Sequence, residues 1–140
     1  MHTEGVTTPE TPEQARETYE SLGPAAQTVV REVTRRMEFD REEYGERVTG
    51  AVIETARDAL FASLLEVHVG AAAEFESWCE AHPEFDPHVE GSDQVDHVVW
   101  HPVTLDGTVV AATYQNEEEA AVGTLRRIAF GKYYRPVIED

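Results

Sequence analysis

The strongest structural signal lies near the middle of the chain, where residues 96–114 read DHVVWHPVTLDGTVVAATY. Two runs rich in β-branched and aromatic residues, 96–103 and 108–114, flank the dipeptide Asp106-Gly107. Such runs joined by Asp-Gly are typical of a β-hairpin with a type I′ turn. The stretch therefore predicts two antiparallel strands, around which the rest of the fold is organised.

A third strand is predicted over residues 63–69, where polar and apolar side chains alternate until Gly70. Continuation of the preceding helix through residue 66 is the competing interpretation. The pattern predicts a short helix over residues 71–82. A right-handed crossover through that helix would place the 63–69 strand parallel to 96–103.

Helical patterns occupy both flanks of this β region. Thr11-Pro12-Glu13-Gln14 combines an N-cap, a proline at the first helical position and a capping-box glutamine, and predicts a helix ending at Leu22. A second helix is predicted over 25–37, with an apolar stripe formed by Ala26, Val29, Val30, Val33 and Met37. A longer helix is predicted to begin at Asp40 and Glu43, and one of its faces is formed by Tyr44, Val48, Val52, Ala56 and Ala59. A loop is predicted over 84–93, followed after the hairpin by a last helix that is capped by Asn116 and ends near Phe130.

Together these elements predict an α+β fold, with three N-terminal helices followed by β-α-β-β-α and a small three-stranded mixed sheet. The 140-residue length fits one domain, expected over residues 11–140, behind a flexible arm formed by residues 1–10. One cysteine, Cys79, excludes an internal disulfide. No stretch has the length and hydropathy of a membrane span, and the first residues lack the features of a secretion signal, which predicts a cytoplasmic location and no membrane partner.

The chain is strongly acidic, with 28 Asp and Glu against 11 Lys and Arg and a net charge of −17. Ten of the bases are arginine, and Lys132 is the only lysine. Acid excess with lysine depletion is typical of a cytoplasm at molar salt, where a Debye length of about 3 Å screens self-repulsion. Monovalent cations and water would then cover the acidic surface. The alternative is an acidic protein that binds a basic partner or mimics nucleic acid.

The charge is unevenly distributed along the chain. Residues 58–125 contain 14 acids and no Lys or Arg, whereas residues 126–140 contain four bases and two acids. The predicted anion-binding residues are Arg126, Arg127, Lys132 and Arg135, with Tyr133 and Tyr134 as stacking residues. Interleaved bases and aromatics suit phosphate contact and base stacking, although molar salt and the neighbouring acids argue against nucleic acid. The alternative is an intramolecular clasp, in which these cations pair with carboxylates of residues 58–125 and the tyrosines pack on the domain.

Histidine and cysteine positions give little support for a metal or a nucleophile. His97 and His101 share a strand face, but four residues of strand separate their Cα atoms by roughly 13 Å, too far to share one Zn²⁺ comfortably. Cys79 and His82 lie on one apolar helix face, where core packing is favoured over catalysis. No cofactor, metal or catalytic residue is predicted, and the roles of His68, His97 and His101 stay open.

Several stretches of the chain resemble a small haloarchaeal family of uncharacterised proteins. They are Leu22-Gly23-Pro24 with residues 27–33, and residues 39–44, 56–65 and 125–131. The resemblance covers almost the whole chain and agrees with a high-salt environment. It implies no known activity, cofactor or catalytic residue.

Because no catalytic signature is present, we expect a non-catalytic cytosolic domain that acts through protein contacts, with self-association as one form of contact. A small enzyme or ligand-binding protein with a pocket at the sheet is the first alternative. RNA or other anion binding by the C-terminal segment is the second.

Overall fold

The computed structural model of the chain describes residues 1–37, 41–47, 49–92 and 94–139. Its elements are β1 His2–Glu4, α1 Pro12–Ser21, α2 Gly23–Arg36, α3 Arg41–Arg47, α4 Gly50–Leu64, β2 Val67–Ala71, α5 Ala72–Ala81, β3 Asp86–Glu90, β4 His97–Val103, β5 Thr108–Tyr114, α6 Glu118–Ala129, a π-helical turn Phe130–Tyr134 and α7 Arg135–Glu139. The α+β class is confirmed. The predicted three-stranded sheet is wrong, because five strands pair in the order β1-β2-β4-β5-β3.

The central hairpin of β4 and β5 is confirmed, with Val99 opposite Ala112 across the antiparallel pair. Its loop differs from the expected two-residue turn. Four residues connect the strands, and the backbone N–H groups of Asp106 and Gly107 both donate to the Val103 carbonyl, each at 3.0 Å. Gly107 has a φ of +74°, a left-handed conformation that glycine adopts without a steric penalty. The Asp-Gly signal therefore located the hairpin but not its loop length.

The predicted parallel pairing of the third strand with β4 is wrong, since β2 is antiparallel to β4. The connection through α5 leads to the far edge of the sheet, where β3 pairs parallel with β5. The hairpin thus lies between two strands that run in the same direction. The loop predicted over 84–93 is also wrong at Asp86–Glu90, whose five side chains are all exposed and show no apolar alternation. Pro87 is tolerated there because β3 is an edge strand.

The other edge of the sheet is formed by the first residues of the chain. His2–Glu4 pairs antiparallel with β2, so these residues of the predicted flexible arm form a strand. The N–H groups of Val6 and Thr7 then donate to the Leu64 carbonyl, each at 2.9 Å. The segment is held by backbone hydrogen bonds, which an analysis of side-chain periodicity does not detect.

Gly5 fixes the turn between β1 and this second attachment. Its φ is +99°, and a Cβ at this position would collide with the Leu65 carbonyl. We expect Gly5→Ala to destabilise the fold by at least 1 kcal/mol and to expose the amides of β1 to hydrogen exchange. Gly123→Ala is the matched control, because Gly123 lies inside α6 with open space around its Cβ position. This control should stabilise by roughly 0.5–1 kcal/mol. Equal melting temperatures for the two variants would contradict the assignment.

The helix boundaries follow the local signals in part. Thr11 caps α1, and its Oγ1 accepts from the Gln14 N–H at 3.1 Å. The long helix expected after Asp40 is instead two helices, because Thr49 caps α4 anew. The proposed cap at Asp40 and the position of Val48 lie outside the described residues. The strand expected from residue 63 begins only at Val67.

The last helix also departs from expectation at both ends. Its N-cap is Glu117 rather than Asn116, and the cap residue makes no side-chain hydrogen bond. Gly131 does not end the helical path, which continues through the π-helical turn into α7. Arg135 and Pro136 begin α7, so this proline lies where the π-helical turn passes into α7.

Two apolar clusters cover the two faces of the sheet. One joins the inward residues of the strands to α1, α4, α6 and the π-helical turn, with Phe61, Leu125 and Tyr134 fully buried. The other lies under α5 and is centred on Trp100 and Phe75. Among the described residues, no helix has both the length and the apolar character needed to cross a membrane.

Candidate functional site

The exposed face of α2 is the most prominent apolar surface among the described residues. Val29, Val33 and Met37 retain 42%, 51% and 57% of their surface exposed. The apolar stripe predicted for this helix is therefore only partly buried, because these three residues lie on its exposed side. The helix packs on α4 through a neighbouring line of smaller side chains, and the buried members are Ala26, Val30 and Thr34.

The burial of Thr34 explains why the apolar residues of α2 divide into a buried row and an exposed row. Its hydroxyl donates to the Val30 carbonyl at 2.9 Å, which satisfies its polar atom within the helix and lets the residue be buried. Residues 26, 30 and 34 then form one ridge of the helix, and residues 29, 33 and 37 form the adjacent ridge. The second ridge is left facing solvent. Sequence periodicity placed all the apolar residues on one stripe because it treats threonine as polar.

Charged side chains border the apolar ridge of α2. Three arginines, Arg31, Arg35 and Arg36, accompany one acid, Glu32, on the exposed part of the helix. Arg35 pairs with Glu32 at 3.2 Å. The helix is thus locally positive in a chain of net charge −17. Its surface combines exposed apolar atoms with charges of both signs.

The four predicted anion-binding cations do not share one surface. Arg126 is partly buried, and its Nε–H donates to the Leu65 carbonyl at 3.1 Å. Arg127 lies at the surface and contacts Thr124 at 3.3 Å. Lys132 and Arg135 make separate ion pairs with Glu90 at 3.7 Å and Asp58 at 3.2 Å respectively. Two of the four cations therefore meet carboxylates of residues 58–125, as the clasp interpretation expects.

The two predicted stacking tyrosines have different environments. Tyr134 is fully buried and cannot offer its ring to a base, so its predicted stacking role is wrong. Tyr133 is half-buried against the core, and burial together with Asp106 and Asp86 raises the pKa of its hydroxyl. Anion binding by the exposed cations stays a prediction.

Neighbouring arginines of α6 provide a matched test of the structural role of Arg126. Arg126→Gln should destabilise the fold by about 1–2 kcal/mol, because the Leu65 carbonyl loses a charged donor between α4 and β2. Arg127→Gln should change stability by less than about 0.5 kcal/mol, since its side chain is exposed. Urea denaturation of both variants measures the difference. Equal losses would show that Arg126 has no special structural role.

A buried histidine is the principal polar feature that the sequence did not reveal. His101 is fully buried in β4. Its Nδ1–H donates to the Glu66 carbonyl at 2.6 Å, and its Nε2 accepts from the Tyr134 hydroxyl at 2.7 Å. A carbonyl can only accept, so Nδ1 carries the proton, and the lowered pKa of His101 leaves Nε2 unprotonated and able to accept from the hydroxyl. Burial lowers the pKa of His101 from 6.5 to about 4, and burial raises the pKa of Tyr134.

The other histidines are engaged with aromatic rings. His68 stacks on Trp100 at 5.4 Å, and burial lowers the pKa of His68. His97 stacks on Tyr114 at 5.3 Å. His82 stacks on Trp78 at 4.1 Å, and its Nδ1 is 2.8 Å from the Trp78 carbonyl.

Cys79 and a nearby surface depression also lie at α5. Cys79 packs against the cluster around Trp100, and burial raises the pKa of its thiol, which disfavours the nucleophilic thiolate. A depression of about 450 Å³ lies beside Trp78 and His82. Glu74 lines this depression. Its carboxylate accepts from the Ala71 N–H at 2.9 Å and lies 3.4 Å from the amino group of Met1. Both carboxylate oxygens of Glu74 thus have partners within the protein.

Comparison with family models places this architecture in a defined protein family. The chain belongs to DUF5809, a family of unknown function whose model matches residues 6–135. A search among curated proteins gave no match. A search among solved structures gave none either. The uncharacterised family implied by the sequence resemblance is confirmed, and its haloarchaeal origin stays a prediction.

Proposed function

We propose that this protein is a non-catalytic interaction domain that pairs with a second copy of itself through α2. The observation that carries the proposal is the exposed ridge of Val29, Val33 and Met37. Apolar side chains contribute about 25 cal/mol per Å² when removed from water, so covering this ridge is favourable. Helix faces of this kind are recurrent docking surfaces for another helix.

Charge supports a second copy as the occupant. Two chains of net charge −17 repel one another least where acids are sparse, and α2 has three arginines against one glutamate. The helix also contains both signs of charge, at Glu32 and at Arg35 and Arg36. An antiparallel pair of α2 helices would bring Glu32 of each copy near the arginines of the other. A twofold axis makes the same surface complementary to itself.

The middle residue of the ridge defines the centre of this arrangement. Val33 lies one helical turn from Val29 and one from Met37. A twofold axis near Val33 therefore lets Val29 of one copy meet Met37 of the other. A 14-residue helix is about 21 Å long. Two such helices alone form a small interface, which makes the pair reversible rather than obligate.

The environment forms part of the same proposal. We propose a cytoplasm at high salt, where screening reduces the repulsion between two acidic copies. The composition supports this setting through its acid excess and its single lysine. Association should therefore strengthen when KCl is raised from 0.1 M to 2 M.

Sedimentation equilibrium of the untagged chain tests pairing. At 2 M KCl we expect the apparent mass to rise with concentration from 15.7 kDa toward twice that value. At 0.1 M KCl the rise should require a higher concentration. A mass of one chain at every concentration up to about 1 mM would overturn the proposal, since this corresponds to a dissociation free energy below about 4 kcal/mol.

A further inference from the structure

Three possible metal ligands from distant parts of the sequence meet at the edge of the sheet formed by β1. His2 and Glu4 project from the same side of that strand, and Glu118 comes from the first turn of α6. The Nε2 atom of His2 is 3.4 Å from Glu4 Oε2 and 3.3 Å from Glu118 Oε2. One ligand atom from each residue lies within 4.8 Å of the other two.

We propose that His2, Glu4 and Glu118 bind a divalent metal ion of the Zn²⁺ type. Two ligands that each lie about 2.1 Å from a tetrahedral ion are about 3.4 Å apart, which matches both distances from the imidazole. One imidazole nitrogen and two carboxylate oxygens form a mixed donor set, typical of zinc rather than of magnesium or calcium. Three protein ligands leave a fourth position for water.

The surroundings of Glu118 orient its carboxylate for this role. The Tyr114 hydroxyl donates to Glu118 Oε1 at 3.4 Å, which leaves Oε2 directed toward His2. The ring of Tyr114 is itself stacked on His97. Hydrogen bonds that orient metal ligands in this way commonly add to metal affinity.

The sequence alone could not indicate this site. His2 and Glu4 have the spacing of neighbours on one strand face, but residues 1–10 show no strand pattern, and Glu118 is more than a hundred residues away. The pairing of β1 with β2 brings them together. A charged imidazole can also bridge the two carboxylates as an ion pair. Metal binding requires the neutral imidazole, so the two uses of the cluster compete.

Titration calorimetry with Zn²⁺ distinguishes a metal site from an ion pair. The full chain is used without an affinity tag, in excess Mg²⁺ so that the other surface carboxylates are occupied. We expect one Zn²⁺ per chain, with affinity that falls as the pH is lowered. Glu118→Gln should weaken binding at least tenfold while its amide oxygen still accepts from Tyr114. Tyr114→Phe should cause a smaller loss, up to about tenfold.

A second histidine and acid pair provides the control. His88 lies 3.1 Å from Asp86 on β3, at the opposite edge of the sheet, and no third ligand meets them among the described residues. His88→Gln should leave Zn²⁺ affinity unchanged. Equal affinities for the wild type and Glu118→Gln would overturn the proposal, as would the absence of saturable binding in Mg²⁺. Thermal denaturation of each metal-free variant checks that a loss of affinity is not a loss of fold.

Discussion

Replacing His101 by leucine is expected to lower the free energy of unfolding by about 3 kcal/mol. Leucine keeps the buried volume in β4 largely filled, so the cost comes from polar atoms. The Glu66 carbonyl and the Tyr134 hydroxyl, at 2.6 and 2.7 Å from the imidazole, would both lose their partner. Each buried polar group left unsatisfied costs about 1–3 kcal/mol. Urea denaturation at pH 7.5 measures the loss.

The double variant His101→Leu with Tyr134→Phe identifies the source of that loss. Removing the orphaned hydroxyl should restore part of the stability, because a benzene ring can be buried without a partner. Tyr134→Phe alone should destabilise the protein, since His101 Nε2 then lacks a donor. If the effects of the two single changes simply add in the double variant, the hydrogen bond is not important for stability.

The same histidine makes stability depend on pH in a defined window. Its pKa is lowered from 6.5 to about 4 in the folded protein, so between these values the unfolded chain binds a proton that the folded chain does not. Stability from this group is therefore complete above pH 6.5 and falls as the pH is lowered toward 4, by at most about 3 kcal/mol. In His101→Leu this part of the pH dependence should disappear. An unchanged pH dependence would contradict the assignment.

Val33→Glu is expected to weaken self-association at least 100-fold while leaving the fold intact. The substitution places a carboxylate at the centre of the proposed interface, where the same group of the second copy would face it. Unpaired like charges at a desolvated contact cost several kcal/mol. Val33 is 51% exposed, so the change should alter the stability of the single chain by less than about 0.5 kcal/mol. Sedimentation equilibrium at 2 M KCl gives the dissociation constant.

Val89→Glu is the matched control for that experiment. Val89 is 49% exposed, on β3 at the edge of the sheet rather than on α2. The Val89→Glu substitution adds the same charge as Val33→Glu to an equally exposed valine, so any effect of net charge alone should appear in both variants. We expect no change in association for Val89→Glu. A loss of equal size in both variants would show that the interface is not at α2.

Local signals in the sequence were sufficient for elements whose structure is determined by nearby residues. Thr11, Pro12 and Gln14 define the start of α1 by capping chemistry, and Asp106-Gly107 locates the hairpin. These features involve hydrogen bonds and backbone angles within a few residues. They do not depend on how distant segments meet.

Elements held by distant backbone partners were missed for the opposite reason. β1 and β3 are edge strands with largely exposed side chains, so no alternation of apolar residues marks them. Their pairing with β2 and β5 depends on hydrogen bonds to segments far away in the sequence. The crossover through α5 was predicted to return beside the same strand. It reaches β3 instead, and the hairpin occupies the space between.

The candidate sites show the same difference between what local sequence and what long-range packing determine. The arginines and tyrosines of residues 126–135 form a conspicuous cluster in sequence, but helical geometry points them in different directions. Tyr134 faces His101 in the core, whereas Lys132 reaches Glu90 at the surface. The apolar ridge of α2 was present in the predicted stripe. Only the structure shows that Val29, Val33 and Met37 of this stripe are exposed to solvent.

Disulfide formation between two copies at the proposed twofold axis tests the central claim most directly. Val33→Cys is combined with Cys79→Ser, which removes the only native thiol. After mild oxidation at 2 M KCl, we predict rapid formation of a covalent dimer that remains folded, because the two sulfurs lie near the axis. The control combines Val89→Cys with Cys79→Ser and should form no covalent dimer under the same conditions, although its α2 helices can still pair. Equally slow cross-linking of both variants would contradict pairing through α2.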